Sequence, residues 1–281
     1  MLRLFRRESP ESWHQRHQQL AEFHRACRDT RGLEDQAGWA DPVWQQHALE
    51  ETYHRLCDAP RAHLTGALDQ TLRAYEEQTT LVRRWVEMLQ QAGADSDAPE
   101  VQQWGQRLLA VTMEPEDDWV GFLTLLTQDA GLSGDRRAAA VQARGIVHGQ
   151  ADRYELALAD FDRALELRPD YEDALGGRGV TFRLMERYED ALADFTRVID
   201  LDPNVARAFA HRGKTYRLME RYEDALADLT RAIDLDPNYA WAIIHRGGTY
   251  WRMGRYEEAL ADLTRAVELD PEDVRAIAAV V

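Results

Sequence analysis

The stretch that decides the fold lies at residues 206–239 and reads ARAFAHRGKTYRLMERYEDALADLTRAIDLDPNY. The same 34-residue pattern occurs four times without a gap, over residues 138–171, 172–205, 206–239 and 240–273. A proline stands near the end of every copy, as Pro169, Pro203, Pro237 and Pro271. A fixed internal period of this length is typical of proteins in which one small structural unit stacks on the next.

Small and large residues recur at constant positions within the copies. The small ones are Gly145, Gly179, Gly213 and Gly247 at position 8, and Ala157, Ala191, Ala225 and Ala259 at position 20. The large ones are Val141, Leu175, Phe209 and Ile243 at position 4, and Phe161, Phe195, Leu229 and Leu263 at position 24. This pattern resembles that of the tetratricopeptide repeat family. The resemblance implies an α-solenoid of four helix-turn-helix repeats within a domain over residues 134–281, with a partial or capping helix at 274–281.

An arginine and an aspartate recur as strictly as the small residues. The arginines at position 7 are Arg144, Arg178, Arg212 and Arg246, and the aspartates at position 23 are Asp160, Asp194, Asp228 and Asp262. Because a carboxylate is available for each guanidinium, we predict a repeated structural ion pair. A ladder of arginines that binds anions is the alternative.

The resemblance implies that binding takes place in a concave groove built from the first helices of the repeats. The candidate groove residues are Arg183, Arg207, His211, Lys214, Arg217, Trp241, His245 and Trp251. Their basic and aromatic character predicts a peptide with acidic residues and an apolar anchor. Family members that grip a terminal carboxylate use lysine and asparagine where this chain has Gln142 and Ile146, so no clamp of that kind is expected.

Residues 1–133 show helical periodicity and no strand-like alternation. We predict an all-α bundle whose helices cover about 10–28, 42–58, 61–91, 99–113 and 116–129, with a loop at 92–98. The apolar seam of the long third helix, from Leu68 to Leu89, is interpreted as bundle core rather than as a coiled-coil dimer.

Two sets of metal-ligating residue types share one spacing in the first two helices. They are His17, His24 and Cys27 in one, and His47, His54 and Cys57 in the other. These offsets place each set on one helix face, so two antiparallel helices would bring imidazoles together. The favoured interpretation is ordinary helix contacts, with zinc binding or a redox cysteine pair as alternatives, and the sequence predicts no bound metal, cofactor or catalytic residue.

The composition excludes several classes of partner. A net charge of −16 without a basic block disfavours nucleic acid and anionic membrane surfaces. No apolar run reaches the roughly 18 residues of a membrane span, and no secretory signal follows the first residues, so we expect a cytoplasmic protein. The single lysine among 34 basic residues suggests a bacterium with a GC-rich genome.

The sequence therefore predicts a non-enzymatic adaptor that binds a protein or peptide partner. One alternative is a metal-dependent or enzymatic N-terminal module with the repeats as its targeting arm. Another is a structural scaffold that forms a homodimer through the N-terminal bundle or the C-terminal end.

Overall fold

The computed structural model describes residues 6, 8–112, 118–129 and 131–269. All regular secondary structure within these ranges is α-helical, as expected. The chain divides into two compact units, Met1–Val147 and His148–Val281. The predicted helix at 274–281 lies outside the described residues, as does the predicted start of the helix at 116–129.

The helices of the first part of the chain are α1 Pro10–Asp29, α2 Asp35–Ala40, α3 Pro42–Asp58, α4 Pro60–Glu77, α5 Thr79–Ser96, α6 Pro99–Thr112, α7 Trp119–Asp129 and α8 Gly134–Gln150. Those that follow are α9 Tyr154–Leu167, α10 Glu172–Leu184, α11 Tyr188–Leu201, α12 Ala206–Leu218, α13 Tyr222–Leu235, α14 Ala240–Arg252 and α15 Tyr256–Leu269. Prolines stand in the first turn of α1, α3 and α4, where the missing N–H leaves no hydrogen bond unmade.

The predicted long third helix is wrong, because the structure has two helices in its place. The chain is extended at Gln78, and α5 packs back on α4. The seam residues Leu68, Leu72, Val82, Val86 and Leu89 are nonetheless buried in one apolar cluster, which confirms their interpretation as core. Folding back buries the two halves of the seam against each other, which one straight helix cannot do.

Two further predictions in this unit need correction. The predicted loop at 92–98 is helical up to Ser96, and the helix ends at Asp97 with a left-handed backbone (φ 56°). The Ala98 N–H then closes the end by donating to the Gly93 carbonyl. The short helix α2 was not expected, and it carries Trp39, whose ring lies 5.6 Å from both Trp44 and Trp85.

The repeats within the second unit follow the predicted period. The turn between the two helices of a copy contains one residue with positive φ, and these residues are Asp152, Glu186, Glu220 and Gly254. The turns therefore recur every 34 residues, like the sequence pattern. Apolar side chains of successive repeats then share a core around Leu229, Ile243 and Ile244.

The glycine at position 8 permits the close approach of the two helices in a repeat. A Cβ placed on Gly179 would lie 2.8 Å from Cε1 of Phe195, whose ring is 1% exposed and has no room to withdraw. Gly176 lies one turn earlier in α10, and no atom lies within 4 Å of a Cβ placed there. One helix thus holds a glycine required by packing and a glycine in open space.

The strict arginine–aspartate pattern forms ion pairs in the three later copies, as predicted. Arg178 pairs with Asp194 through two hydrogen bonds of 2.8 and 2.7 Å, and Arg212 pairs with Asp228 in the same way. Arg246 and Asp262 repeat the geometry at 2.7 and 2.8 Å. Each guanidinium also donates backwards to the preceding repeat, to Asp162, Thr196 and Thr230 respectively. The arginine therefore joins two consecutive second helices.

We expect Gly179→Ala to lower the free energy of unfolding by about 1–2 kcal/mol, because overpacking outweighs the gain in helix propensity. Gly176→Ala, the matched control, should raise it by about 0.5–1 kcal/mol. Urea unfolding followed by circular dichroism measures both. Equal effects of the two substitutions would contradict the packing role of Gly179.

We expect Arg212→Ala to lower the free energy of unfolding by about 2–3 kcal/mol, because Asp228 is left with an uncompensated charge at a mostly buried site. Arg163→Ala removes an exposed pair with Glu166 and should change stability by less than about 1 kcal/mol. The same urea titrations compare them. If Arg212→Ala instead weakened a ligand without loss of stability, the structural interpretation of these arginines would fail.

Candidate functional site

The candidate groove residues lie on the first helices of the last three repeats. On α12, His211, Lys214 and Arg217 follow one another at helical spacing and share a face. Arg183 occupies in α10 the place that Arg217 occupies in α12. His245 occupies in α14 the place of His211, so consecutive repeats contribute equivalent positions to one surface.

Trp241 is the centre of this surface. Its ring lies 4.8 Å from the His211 ring and 4.1 Å from the His245 ring, in edge-to-face contact with both. Nζ of Lys214 lies 5.2 Å from the centroid of the same indole, a cation–π contact. We call these four residues together with Arg183 and Arg217 the groove cluster.

Three cations of the groove cluster lie close enough to repel one another. Burial, reinforced by Arg183 and Arg217, lowers the pKa of Lys214 from 10.5 to about 8. Burial also lowers the pKa of Arg183 and of Arg217, and the charges of Arg217 and Arg252, respectively, add to the effect. Among the described residues, Nε of Arg183 and Nε of Arg217 are buried and have no hydrogen-bond partner.

The two imidazoles of the groove cluster are held neutral. Burial, with the nearby cations adding to it, lowers the pKa of His211 to about 3 and that of His245 to about 2. Their Nδ1 atoms are buried and find no hydrogen-bond partner in the part of the chain that the structure describes. A neutral imidazole offers one donor and one acceptor, so both rings retain hydrogen-bonding capacity towards a ligand.

The electrostatics of the cluster favour an anionic ligand. Buried polar donors are normally satisfied, and a buried charge without a partner is unfavourable. A carboxylate or phosphate among these side chains would supply the missing acceptors and the opposite charge.

Comparison with known families agrees with the repeat pattern. Models described as "Tetratricopeptide repeat" match residues 138–171, 172–205 and 216–281. The repeat segment belongs to the tetratricopeptide repeat family. No curated protein matches the chain.

Solved structures of other tetratricopeptide proteins are also similar to this chain. The double mutant "MamA RS-1 ArsTM" shows 22% identity with a TM-score of 0.47, over 68% of this chain and 96% of that one. "MamA 41-end from Desulfovibrio magneticus RS-1" shows 21% identity and a TM-score of 0.48, over 68% of this chain and 97% of that one. YrrB, described as a TPR protein with an unusual peptide-binding site, shows 22% identity and a TM-score of 0.46, over 62% and 96% respectively.

Two of the predicted groove residues of the tetratricopeptide segment have other contacts. Arg207 is exposed and donates to Asp173 at 2.8 Å, in the preceding repeat. Trp251 is 41% exposed and lies against Tyr256 with ring centroids 5.0 Å apart. His211 and His245 make ring contacts with Trp241, and Lys214 makes a cation–π contact with it. No such contact with Trp241 is found for Arg207 or Trp251 among the described residues.

Sequence reasoning missed two aromatic rings that border the groove cluster. Phe195 stacks on His211 with centroids 5.6 Å apart, and Tyr239 stacks on Trp241 at 6.1 Å. The repeat pattern marks Phe195 only as a core residue, and Tyr239 lies in the connection before α14. No signal in the sequence connects either residue with the groove.

None of the helices described here has the length and apolar composition that a membrane span requires.

Lys214 is the single lysine of the chain, so its protonation can be followed without overlap from other lysines. In protein labelled with ¹³C-lysine, we expect its Cε resonance to titrate near pH 8 instead of 10.5, because burial and neighbouring cations disfavour the ammonium. The Trp241→Leu and Arg217→Gln variants separate the contributions of the ring and of the charge. An unshifted titration in the wild type would contradict the clustering of the three cations.

Proposed function

We propose that this protein is a non-enzymatic adaptor whose tetratricopeptide groove binds an extended peptide segment with acidic residues and one apolar anchor. The observation that carries the proposal is the set of partly buried cations, Arg183, Lys214 and Arg217, whose charge no described carboxylate neutralises in the groove. The tetratricopeptide family binds mainly protein and peptide partners, which favours a peptide over a small anion.

The contacts of the groove cluster suggest how such a segment is held. Two acidic side chains of the ligand would accept hydrogen bonds from Nε of Arg183, from Nε of Arg217 and from Lys214. Each such charge-assisted hydrogen bond contributes about 1.5–3 kcal/mol, and more where a buried donor is otherwise unsatisfied. An apolar side chain of the ligand would pack on Trp241, which is only partly buried and lies between the imidazoles.

The charge of the whole chain adds specificity. The protein carries a net charge of −16, so most of its surface repels an acidic peptide while the groove cluster attracts it. Binding away from the groove is thereby disfavoured. The N-terminal unit would then bind a second partner or a second copy, which would make the protein a bridge between two molecules.

The test is fluorescence anisotropy on the full chain with labelled twelve-residue peptides. One peptide contains repeated glutamates and a central leucine, and its matched control has glutamine at every glutamate position. We expect the acidic peptide to bind at least about tenfold more tightly, since several charge-assisted hydrogen bonds are lost with the amides. Added salt should weaken the acidic peptide only.

Variants of the chain locate the binding. The combined Arg183→Gln, Lys214→Gln and Arg217→Gln change should weaken the acidic peptide by about a hundredfold, a loss of roughly 2.7 kcal/mol. The control combines Arg163→Gln, Arg187→Gln and Arg221→Gln, which removes the same charge from exposed ion pairs. Equal losses in the two triple variants, or no preference of the wild type for the acidic peptide, would overturn the proposal.

A further inference from the structure

Four imidazoles form a ladder between α1 and α3, outside the repeat array. Nδ1 of His17 lies 2.8 Å from Nδ1 of His54, and Nδ1 of His24 lies 3.0 Å from Nδ1 of His47. The rings of His24 and His54 stack with centroids 5.7 Å apart, which joins the two pairs. Later residues of α1 meet earlier residues of α3, so the two helices are antiparallel, as the sequence spacing requires for the imidazoles to meet.

Glu50 brings a carboxylate to the same place. It lies three residues after His47 and four before His54, so these side chains share one face of α3. One ligand atom each from His24, Glu50 and His54 lies within 4.8 Å of the other two. One Glu50 oxygen accepts a hydrogen bond of 2.8 Å from the Gln46 side chain, which orients the carboxylate.

We propose that His24, Glu50 and His54 bind a divalent transition-metal ion of the zinc type, with His47 as a fourth donor. In a tetrahedral site with bonds of about 2.0–2.1 Å, neighbouring ligand atoms lie about 3.3 Å apart. The His24–His47 separation of 3.0 Å is already close to that spacing. The ligand atoms of His24, Glu50 and His54 lie within 4.8 Å of one another, a separation that rotation of these partly exposed side chains can reduce.

The ligand chemistry favours zinc or a similar ion over calcium and magnesium. Imidazole nitrogens suit Zn²⁺, Co²⁺, Ni²⁺ and Cu²⁺, whereas Ca²⁺ and Mg²⁺ take oxygen ligands. Burial lowers the pKa of His24, and it lowers the pKa of His54 to about 4, which keeps both rings in the neutral form that binds metals.

The nearby cysteines do not belong to this site. Burial raises the pKa of the Cys57 thiol to about 12, so it is not a thiolate at neutral pH. Cys27 and Cys57 both follow the histidines along their helices, and the antiparallel packing therefore places them at opposite ends of the helix pair. The same arrangement counts against the redox cysteine pair.

An ion held from both helices would tie α1 to α3. Because the unfolded chain does not keep these residues together, the ion binds the folded state preferentially and raises the unfolding temperature. The role assigned to the site is therefore structural or metal-responsive, and it is independent of the groove cluster in the second unit.

The experiment uses the full chain without an affinity tag, stripped of metal with a chelator. Co²⁺ is added at pH 7.5, its visible absorption is recorded, and Zn²⁺ is then added as competitor. We expect one Co²⁺ per chain, displaced by one Zn²⁺, and an unfolding temperature that rises with Zn²⁺. His24→Ala and His54→Ala should each weaken Co²⁺ binding by about a hundredfold, and His47→Ala by about tenfold.

Two further variants keep the test decisive. Glu50→Gln preserves the shape of the site and should still weaken Co²⁺ binding by about tenfold, whether or not the alanine variants fold. His14→Ala, on the same helix and paired with Asp58, should leave the affinity within threefold of the wild type. Absence of Co²⁺ binding at 100 µM, in roughly tenfold excess over the chain, or equal affinity in the wild type and the Glu50→Gln variant, would overturn the proposal.

Discussion

The close approach of the two helices in each of the last three repeats is the constraint on which the second unit depends. Glycine at position 8 leaves room for one ring or leucine from the second helix, as Gly179 does for Phe195. Once the helices lie this close, the arginine at position 7 reaches both its own aspartate and the preceding repeat. The small residue thus sets the distance within a repeat, and the arginine sets the contact between repeats.

The first helices of the repeats carry two kinds of cation. Some stabilise the stack of repeats through ion pairs, and others are proposed to bind the ligand. The strictly repeated arginines, such as Arg212, have carboxylate partners and stabilise the stack. The groove cations recur in only one or two copies, and neither Lys214 nor Arg217 has a carboxylate partner among the described residues. Buried and mutually repulsive charges are unfavourable in the free protein. In the proposed complex an anionic ligand would neutralise these charges, and this is the physical basis of the proposed affinity.

The wrong helix boundaries in the first unit arise from tertiary packing, which breaks the predicted third helix at Gln78 and continues it beyond residue 91. A continuous heptad seam from Leu68 to Leu89 predicts one helix, and nothing local signals the break at Gln78. The break forms because two short helices packed on each other bury more of the seam than one long helix does. The predicted loop at 92–98 failed for the opposite reason, since packing of α5 against α6 extends a helix through residues of low propensity. Where the sequence repeats, by contrast, every local signal agrees with the neighbouring copies.

The sequence by itself determined the all-α class, the tetratricopeptide repeats and the arginine–aspartate pairs of the later copies, and it named all six residues of the groove cluster as candidates. It did so because periodicity fixes which residues share a helix face, and repetition fixes which faces stack. Only the tertiary structure decided which charges have partners: Arg207 is neutralised by Asp173, whereas Arg183 and Arg217 keep buried, unsatisfied Nε atoms. It also placed Glu50 beside His24 and His54. Which side chains meet depends on the distances between helices. Helical periodicity contains no information on those distances.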